Sequence, residues 1–362
     1  MTSPVSPRDD LLALDGYHSP QLDVAVRLNT NESPFAPPDE FVERWLDELR
    51  AAPLHRYPDR AAQSLRDALG HHLDQPAARL FCANGSNEVL QTLLLTYGGP
   101  GRRAAMFEPT YALHSHIARI TGTEVIAGER RADFSIDPAA ARALLAEYAP
   151  TIVFVCSPNN PTGTVEPATT IEALLDAPGS HLVVVDEAYG EFASWSALDL
   201  VRDDRPLVVV RTYSKVWSMA ALRLGFAVAP PWVIEELEKV VLPYHLATAT
   251  QIAGRLALEL GSEMDDRVAR LVAERERVAG ALAATEGITT FASGANFVLF
   301  RPAGDGHALW QRLVDQGVLV RDFSRWPRLD DCLRVTIGTP AENDAFLSAL
   351  GTALDELQEV VL

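Results

Sequence analysis

Short apolar runs alternate with helix-spaced patterns along the middle of the chain, from about residue 60 to 240. The clearest runs are 152–156, 182–186, 207–211 and 225–229. The first three are nearly continuous Val, Ile, Leu and Phe, the pattern of strands buried on both faces of a mostly parallel sheet. Strands and helices in that alternation predict an α/β fold, with a central sheet between two layers of helices. Residues 1–40 differ: they are rich in Pro, Asn and Ser, show no sustained period, and predict an extended arm lying over the rest. A helical pattern at about 40–51 follows, then a turn at His55-Arg56-Tyr57-Pro58-Asp59. A long charged helix is predicted at about 263–284, stopping before Gly287. Short strands at 297–300 and 333–337, with helices between and after them, predict a smaller α+β unit. The expected division is therefore an arm (1–40), a large domain (41–262) and a small domain (263–362).

Length and composition fit this picture. The 362 residues, 48% hydrophobic and 22% charged, suffice for a large core and more than one domain. The net charge of −18 argues against nucleic acid or an acidic membrane as partner, both of which require a basic footprint. It leaves room for a small anionic substrate, because a few buried arginines can dominate a local field. Cys82, Cys156 and Cys332 are too few and too widely spaced for a disulfide framework or a metal site, and read as buried thiols in a reducing compartment. Residues 1–10 have neither an apolar core nor a basic run, and no apolar stretch reaches membrane-spanning length, so a cytoplasmic protein is expected.

The polar residues that carry chemistry fall at the carboxyl ends of the predicted strands, where open α/β sheets bind ligands. In Arg211-Thr-Tyr-Ser-Lys215, a lysine follows a buried strand, with hydroxyls at Thr212 and Ser214 and a guanidinium at Arg223. That set suits a Schiff-base lysine beside an anion site, although a surface lysine is the usual fate of the residue. Asp186 ends the run 182–186; it suits a pyridinium partner or, equally, a helix cap. Tyr189, three residues on, is within reach of the same ring. Ser157-Pro-Asn-Asn160-Pro-Thr-Gly163 fixes a tight turn that holds an amide at a strand end. Asn84-Gly85-Ser86-Asn87 opens a helix whose N–H groups suit phosphate. Arg334, on an apolar strand, needs an anionic partner: a substrate carboxylate or a structural salt bridge.

Taken together and in order, these segments resemble the fold-type I aminotransferases and, within them, the histidinol-phosphate aminotransferases. Leu28-Asn-Thr-Asn-Glu32-Ser-Pro34, Arg56-Tyr-Pro-Asp59, Leu242-Pro-Tyr-His-Leu246, Gly317-Val-Leu-Val-Arg321 and Cys332-Leu-Arg-Val-Thr-Ile-Gly-Thr339 extend the match over nearly the whole chain. The resemblance implies pyridoxal 5′-phosphate (PLP) as cofactor, carried by Lys215, which also moves the substrate proton. It implies Asp186 at the pyridine nitrogen, Tyr189 and Asn160 at the ring hydroxyl, and Tyr111 stacked on the ring. Ser86, Asn87, Thr212, Ser214 and Arg223 would surround the cofactor phosphate. Tyr57 would reach that phosphate from a neighbouring subunit, implying a homodimer with shared sites. Arg334 would bind the substrate carboxylate, while Tyr17, Asn31 and Arg321 would meet the distal end, with Arg321 on a phosphate. The arm would pack on the small domain and the active site. The implied reaction exchanges the amino group between histidinol phosphate and 2-oxoglutarate in histidine biosynthesis; an aromatic amino-acid aminotransferase on the same scaffold is the alternative. Two departures stand out. The segment 216–222 is bulkier than the glycine-containing run usual after the lysine, and Ser33 replaces the more common Asn.

Overall fold

The computed structural model of the chain describes residues 5–12, 14, 16 and 21–361, with 358–361 described by backbone alone. Among the described residues, twelve strands form two sheets. In chain order they are β1 (Val26–Leu28), β2 (Leu80–Ala83), β3 (Arg103–Glu108), β4 (Glu124–Glu129), β5 (Ile152–Cys156), β6 (Leu182–Asp186), β7 (Leu207–Thr212), β8 (Gly225–Val228), β9 (Ile288–Thr290), β10 (Phe297–Pro302), β11 (Val318–Asp322) and β12 (Leu333–Thr336). The larger sheet has seven strands in the order β2-β8-β7-β6-β5-β3-β4. β4, β3, β5, β6 and β7 pair in parallel, and β8 runs antiparallel to both of its neighbours. Every residue of β5, β6 and β7 is buried, as continuous apolar runs require.

Alternation along these strands feeds two core layers. Val153, Val155, Val183, Val185 and Val209 pack into one; Phe154, Val184, Val208 and Val210 pack into the other, with Val89, Leu90, Leu93 and Leu94 of the helix Gly85–Tyr97. The same alternation turns Arg211 to the first layer and its neighbour Thr212 away from it. Arg211 is satisfied there by Glu187, with Nη2–Oε2 at 2.8 Å, and by the Ser196 hydroxyl.

The second sheet has the order β1-β11-β12-β10-β9. Its first strand comes from the segment expected to be an extended arm: β1 lies parallel to β11, Val26 opposite Val318. Three residues, Val-Arg-Leu, are too few to show a period. The long helix Gly261–Ala284 buries Met264, Arg267, Leu271, Arg275, Val278 and Leu282, a three-and-four spacing that makes one stripe. Its two buried arginines are matched to backbone carbonyls. Arg267 donates to Ala36 O (2.8 Å), and Arg275 to Ala295 O (3.1 Å) and Phe192 O (3.3 Å). No helix among the described residues is long and apolar enough to cross a membrane.

Candidate active site

Register brings the polar strand ends together. Cys156 lies opposite Asp186 across β5 and β6, and Thr212 opposite Gly225 across β7 and β8. Because β8 is antiparallel, it starts at the edge where β6 and β7 end, and Arg223 stands two residues before it. β2 pairs with β8 so that Ala83 faces Gly225, which delivers the start of the helix Gly85–Tyr97 to the same edge. A side chain at Gly225 would collide with the Gly85–Ser86 backbone, and one at Gly85 with the Arg223 guanidinium. The close approach therefore depends on both glycines.

A cavity of about 440 Å³ opens at this edge. Ser86, Asn87, Tyr111, Asn160, Asp186, Tyr189, Thr212, Ser214, Lys215, Arg223, Asn31, Arg321 and Arg334 all line it. One of the expected residues does not. Tyr57 is 80% exposed and stacks on Tyr244 with ring centroids 4.6 Å apart. Tyr17 lies outside the described residues.

At one end, Thr212, Ser214 and Arg223 form a cluster beside the helix start. Thr212 Oγ1 donates to Ser214 Oγ (2.9 Å), and Arg223 Nη1 also donates to Ser214 Oγ (3.4 Å). In the middle, Lys215 Nζ donates to Thr30 O at 3.2 Å and lies 5.6 Å from the centroid of the Tyr189 ring. Burial, with the positive charges of Arg334 and Arg223, lowers its pKa to about 8, against the opposing pull of Glu32. Far more of its amine is thus neutral at pH 8 than in an ordinary lysine.

Asp186 is 1% exposed, and its carboxylate accepts from His114 Nε2 at 3.0 Å and from Ala188 N at 3.1 Å. His114 is fully buried, stacked on Phe154 and edge-on to Tyr111. Its Nδ1 has no partner among the described residues. The tautomer with the proton on Nε2 fits, since it leaves a lone pair rather than an orphaned N–H. Sequence reasoning missed this residue. A lone histidine three positions after Tyr111, on an otherwise apolar helix face, carries no signal of what stands across from it.

Tyr189 and Asn31 join the two sheets. Asn31 Nδ2 donates to the Tyr189 hydroxyl at 2.9 Å, and Thr336 Oγ1 on β12 donates to Asn31 Oδ1 at 2.8 Å. Burial pushes the Tyr189 pKa up to about 12, so it stays a neutral phenol. Arg334 donates to Asn160 Oδ1 (2.5 Å) and Asn29 O (3.0 Å). It stands directly opposite Arg321 across β11 and β12, which puts both guanidinium side chains on one face of the sheet. Phe323 and Trp326 complete the wall beside them, as do Asn29, Thr30 and Glu32 from the arm. Aromatic residues in a loop beyond a strand gave no reason to be singled out.

Residues 23–350 match the family model for aminotransferases of class I and II. The chain belongs to this family. As a class I and II aminotransferase, it is 45% identical to the histidinol-phosphate aminotransferase of Frankia casuarinae, the alignment covering 96% of this chain and 90% of the relative. It is 47% identical to that of Thermobifida fusca, over 96% of this chain and 95% of the relative. Its fold superposes on the crystal structure of histidinol-phosphate aminotransferase from Sinorhizobium meliloti in complex with pyridoxal-5′-phosphate, with a TM-score of 0.84, 22% identity and 92% of each chain covered. The aminotransferase fold thus accounts for the large sheet, the small sheet and the cleft between their edges.

Proposed function

We propose that the chain is a PLP-dependent aminotransferase that interconverts histidinol phosphate plus 2-oxoglutarate and imidazole-acetol phosphate plus glutamate. The observation that carries this reading is the convergence, in one cavity, of a lysine with depressed pKa, a buried carboxylate and two adjacent arginines.

The cavity suits the cofactor by its donor set. The helix start at Ser86 and Asn87, with Thr212, Ser214 and Arg223, offers N–H, hydroxyl and guanidinium donors for a phosphate. Asp186, kept dry and oriented by His114, would hold a pyridine nitrogen protonated. Tyr189 and Asn160 would meet the ring hydroxyl, and Tyr111 would lie against the ring face. When bound, the cofactor supplies the covalent link to the substrate nitrogen and an acceptor for the electrons left at Cα.

This chain's own groups do the rest. Lys215 Nζ, half of it neutral at pH about 8, would take the proton from substrate Cα. Arg321 and Arg334 orient the substrate. Histidinol phosphate carries no carboxylate; its phosphate sits on the carbon next to the amine-bearing one, where glutamate carries its α-carboxylate. Two arginines side by side therefore serve that one anionic group, in place of separate proximal and distal sites. A homodimer is part of the proposal: exposed Tyr57 stacks on Tyr244 at the surface, and Tyr57 would reach the partner's cofactor phosphate.

The test is a single half-reaction. The PLP form is mixed separately with histidinol phosphate and with phenylalanine, and conversion to the pyridoxamine form is followed by absorbance. Fast conversion by histidinol phosphate alone supports the proposal. Comparable or faster conversion by phenylalanine favours an aromatic amino-acid aminotransferase, a reading to which the Phe323 and Trp326 wall lends support.

A further inference from the structure

Two guanidiniums placed opposite each other on neighbouring strands repel, and nothing in the β11–β12 register itself holds them to one target. Both lie over the same ring. The guanidinium carbon of Arg334 is 5.2 Å from the Phe323 centroid and that of Arg321 is 5.7 Å from it, and Arg334 is also 4.8 Å from the centroid of Phe297. Phe323 follows directly after β11 and is 5% exposed, so its ring is part of the interior rather than a mobile cover. It is pinned on several sides. Its backbone N donates to Cys332 O at 3.0 Å, and the N–H of Trp326 closes a turn onto Phe323 O at 2.8 Å. The Trp326 ring stands edge-on to it at 5.1 Å, and Phe134, Leu299 and Leu329 pack with it in a separate small core.

We propose that Phe323 is a positioning residue for substrate binding. Its π-face, negative by quadrupole, attracts both guanidiniums to one plate and aims them at the same anionic group of the substrate. The ring attracts both guanidiniums while carrying no net charge of its own. The inference rests on the reading of Arg321 and Arg334 as the substrate's anion site.

The experiment uses the holoenzyme with Phe323 replaced by mono-, di- and trifluorinated phenylalanine, which preserve shape while draining the quadrupole, and with Phe323→Leu. KM for glutamate, kcat, and competitive inhibition by inorganic phosphate are measured for each. KM and the phosphate inhibition constant should rise stepwise with fluorine number and reach roughly tenfold in Phe323→Leu, the size of loss expected from cation–π contacts. The value of kcat should stay within about twofold, since the contacts serve binding rather than the chemical step. Unchanged KM along the fluorinated series overturns the proposal, as does a fall in kcat at constant KM. Arg321→Ala and Arg334→Ala serve as the control. If they raise KM while the fluorinated series does not, Phe323 alone has been misread; if they do not raise it, the anion-site reading has failed.

Discussion

At the level of single residues, the site depends on environments that no residue type announces. Lys215 is a strong base in water, and burial beside two arginines brings its pKa down to about 8. In cofactor-free protein, the rate at which PLP is captured should therefore rise with pH through about 8, not 10.5, as read from the absorbance of the product. The same shift has a stability consequence. A lysine whose folded pKa is depressed makes the fold less stable below about pH 8, where the buried amine is charged, and this loss is relieved as pH rises from about 8 toward 10.5. Lys215→Met should then raise the melting temperature of the cofactor-free protein at pH 7, with the difference shrinking toward pH 10. Lys215→Ala should abolish transamination while leaving the fold intact, since one side chain supplies both the covalent link and the proton transfer; activity near wild type would sink the mechanism. Asp186 depends on His114 in turn. His114→Phe keeps the stack on Phe154 but leaves the buried carboxylate short of a donor, at a cost of about 1–3 kcal/mol. It should weaken PLP binding and lower the melting temperature together, and an unchanged holoenzyme spectrum and PLP affinity would remove His114 from the site.

Among elements, the important event is the meeting of β8 with the start of the helix Gly85–Tyr97. Both are ordinary local structures: a four-residue apolar strand and an amphipathic helix with Leu and Val at four-residue spacing. Their contact is not ordinary, because Gly225 leaves no space for a Cβ against the Ser86 backbone. Gly225→Ala should destabilise the protein by about 1–3 kcal/mol, as overpacking does, and displace the Ser86 backbone at the helix start. Chemical denaturation and PLP titration would check the two effects separately; a variant with wild-type values for both would show that the edge can yield. The prediction of strands at 152–156 and 182–186 matches β5 and β6 to the residue, because continuous apolar runs leave no other place for the chain. β1 was not legible. Its three residues become a strand only because β11 presents an edge to them.

At the scale of the whole molecule, the two sheets are tied across the cleft by Asn31, which reaches Tyr189 beyond the large sheet and Thr336 in the small one. The arm is thus part of the site wall. Tyr57 and Tyr244 form an exposed, stacked aromatic patch. If a second copy covers it, as proposed, the protein should sediment as a dimer at micromolar concentration. Tyr57→Ala and Lys215→Ala, each impaired alone, should recover activity when mixed and allowed to exchange, because one of the two shared sites in a mixed dimer carries both native side chains. A monomer in sedimentation, or no recovery on mixing, would mean that each chain builds its site alone.

Much of this was set by the order of residues alone. Apolar runs determine where buried strands form, and the polar residues just after them must fall at one sheet edge once the strands are parallel. Hence Asn160, Asp186, Thr212, Ser214 and Lys215 could be singled out before any coordinates. Tertiary structure decided what distance along the chain conceals. His114 reaches Asp186 across 72 positions, Asn31 reaches Thr336 across 305, and Arg321 stands opposite Arg334 only through strand register. The physical reason is the same in each case. Local pattern reports which face of an element is buried, whereas the partner that satisfies a buried polar group comes from wherever packing brings the chain back.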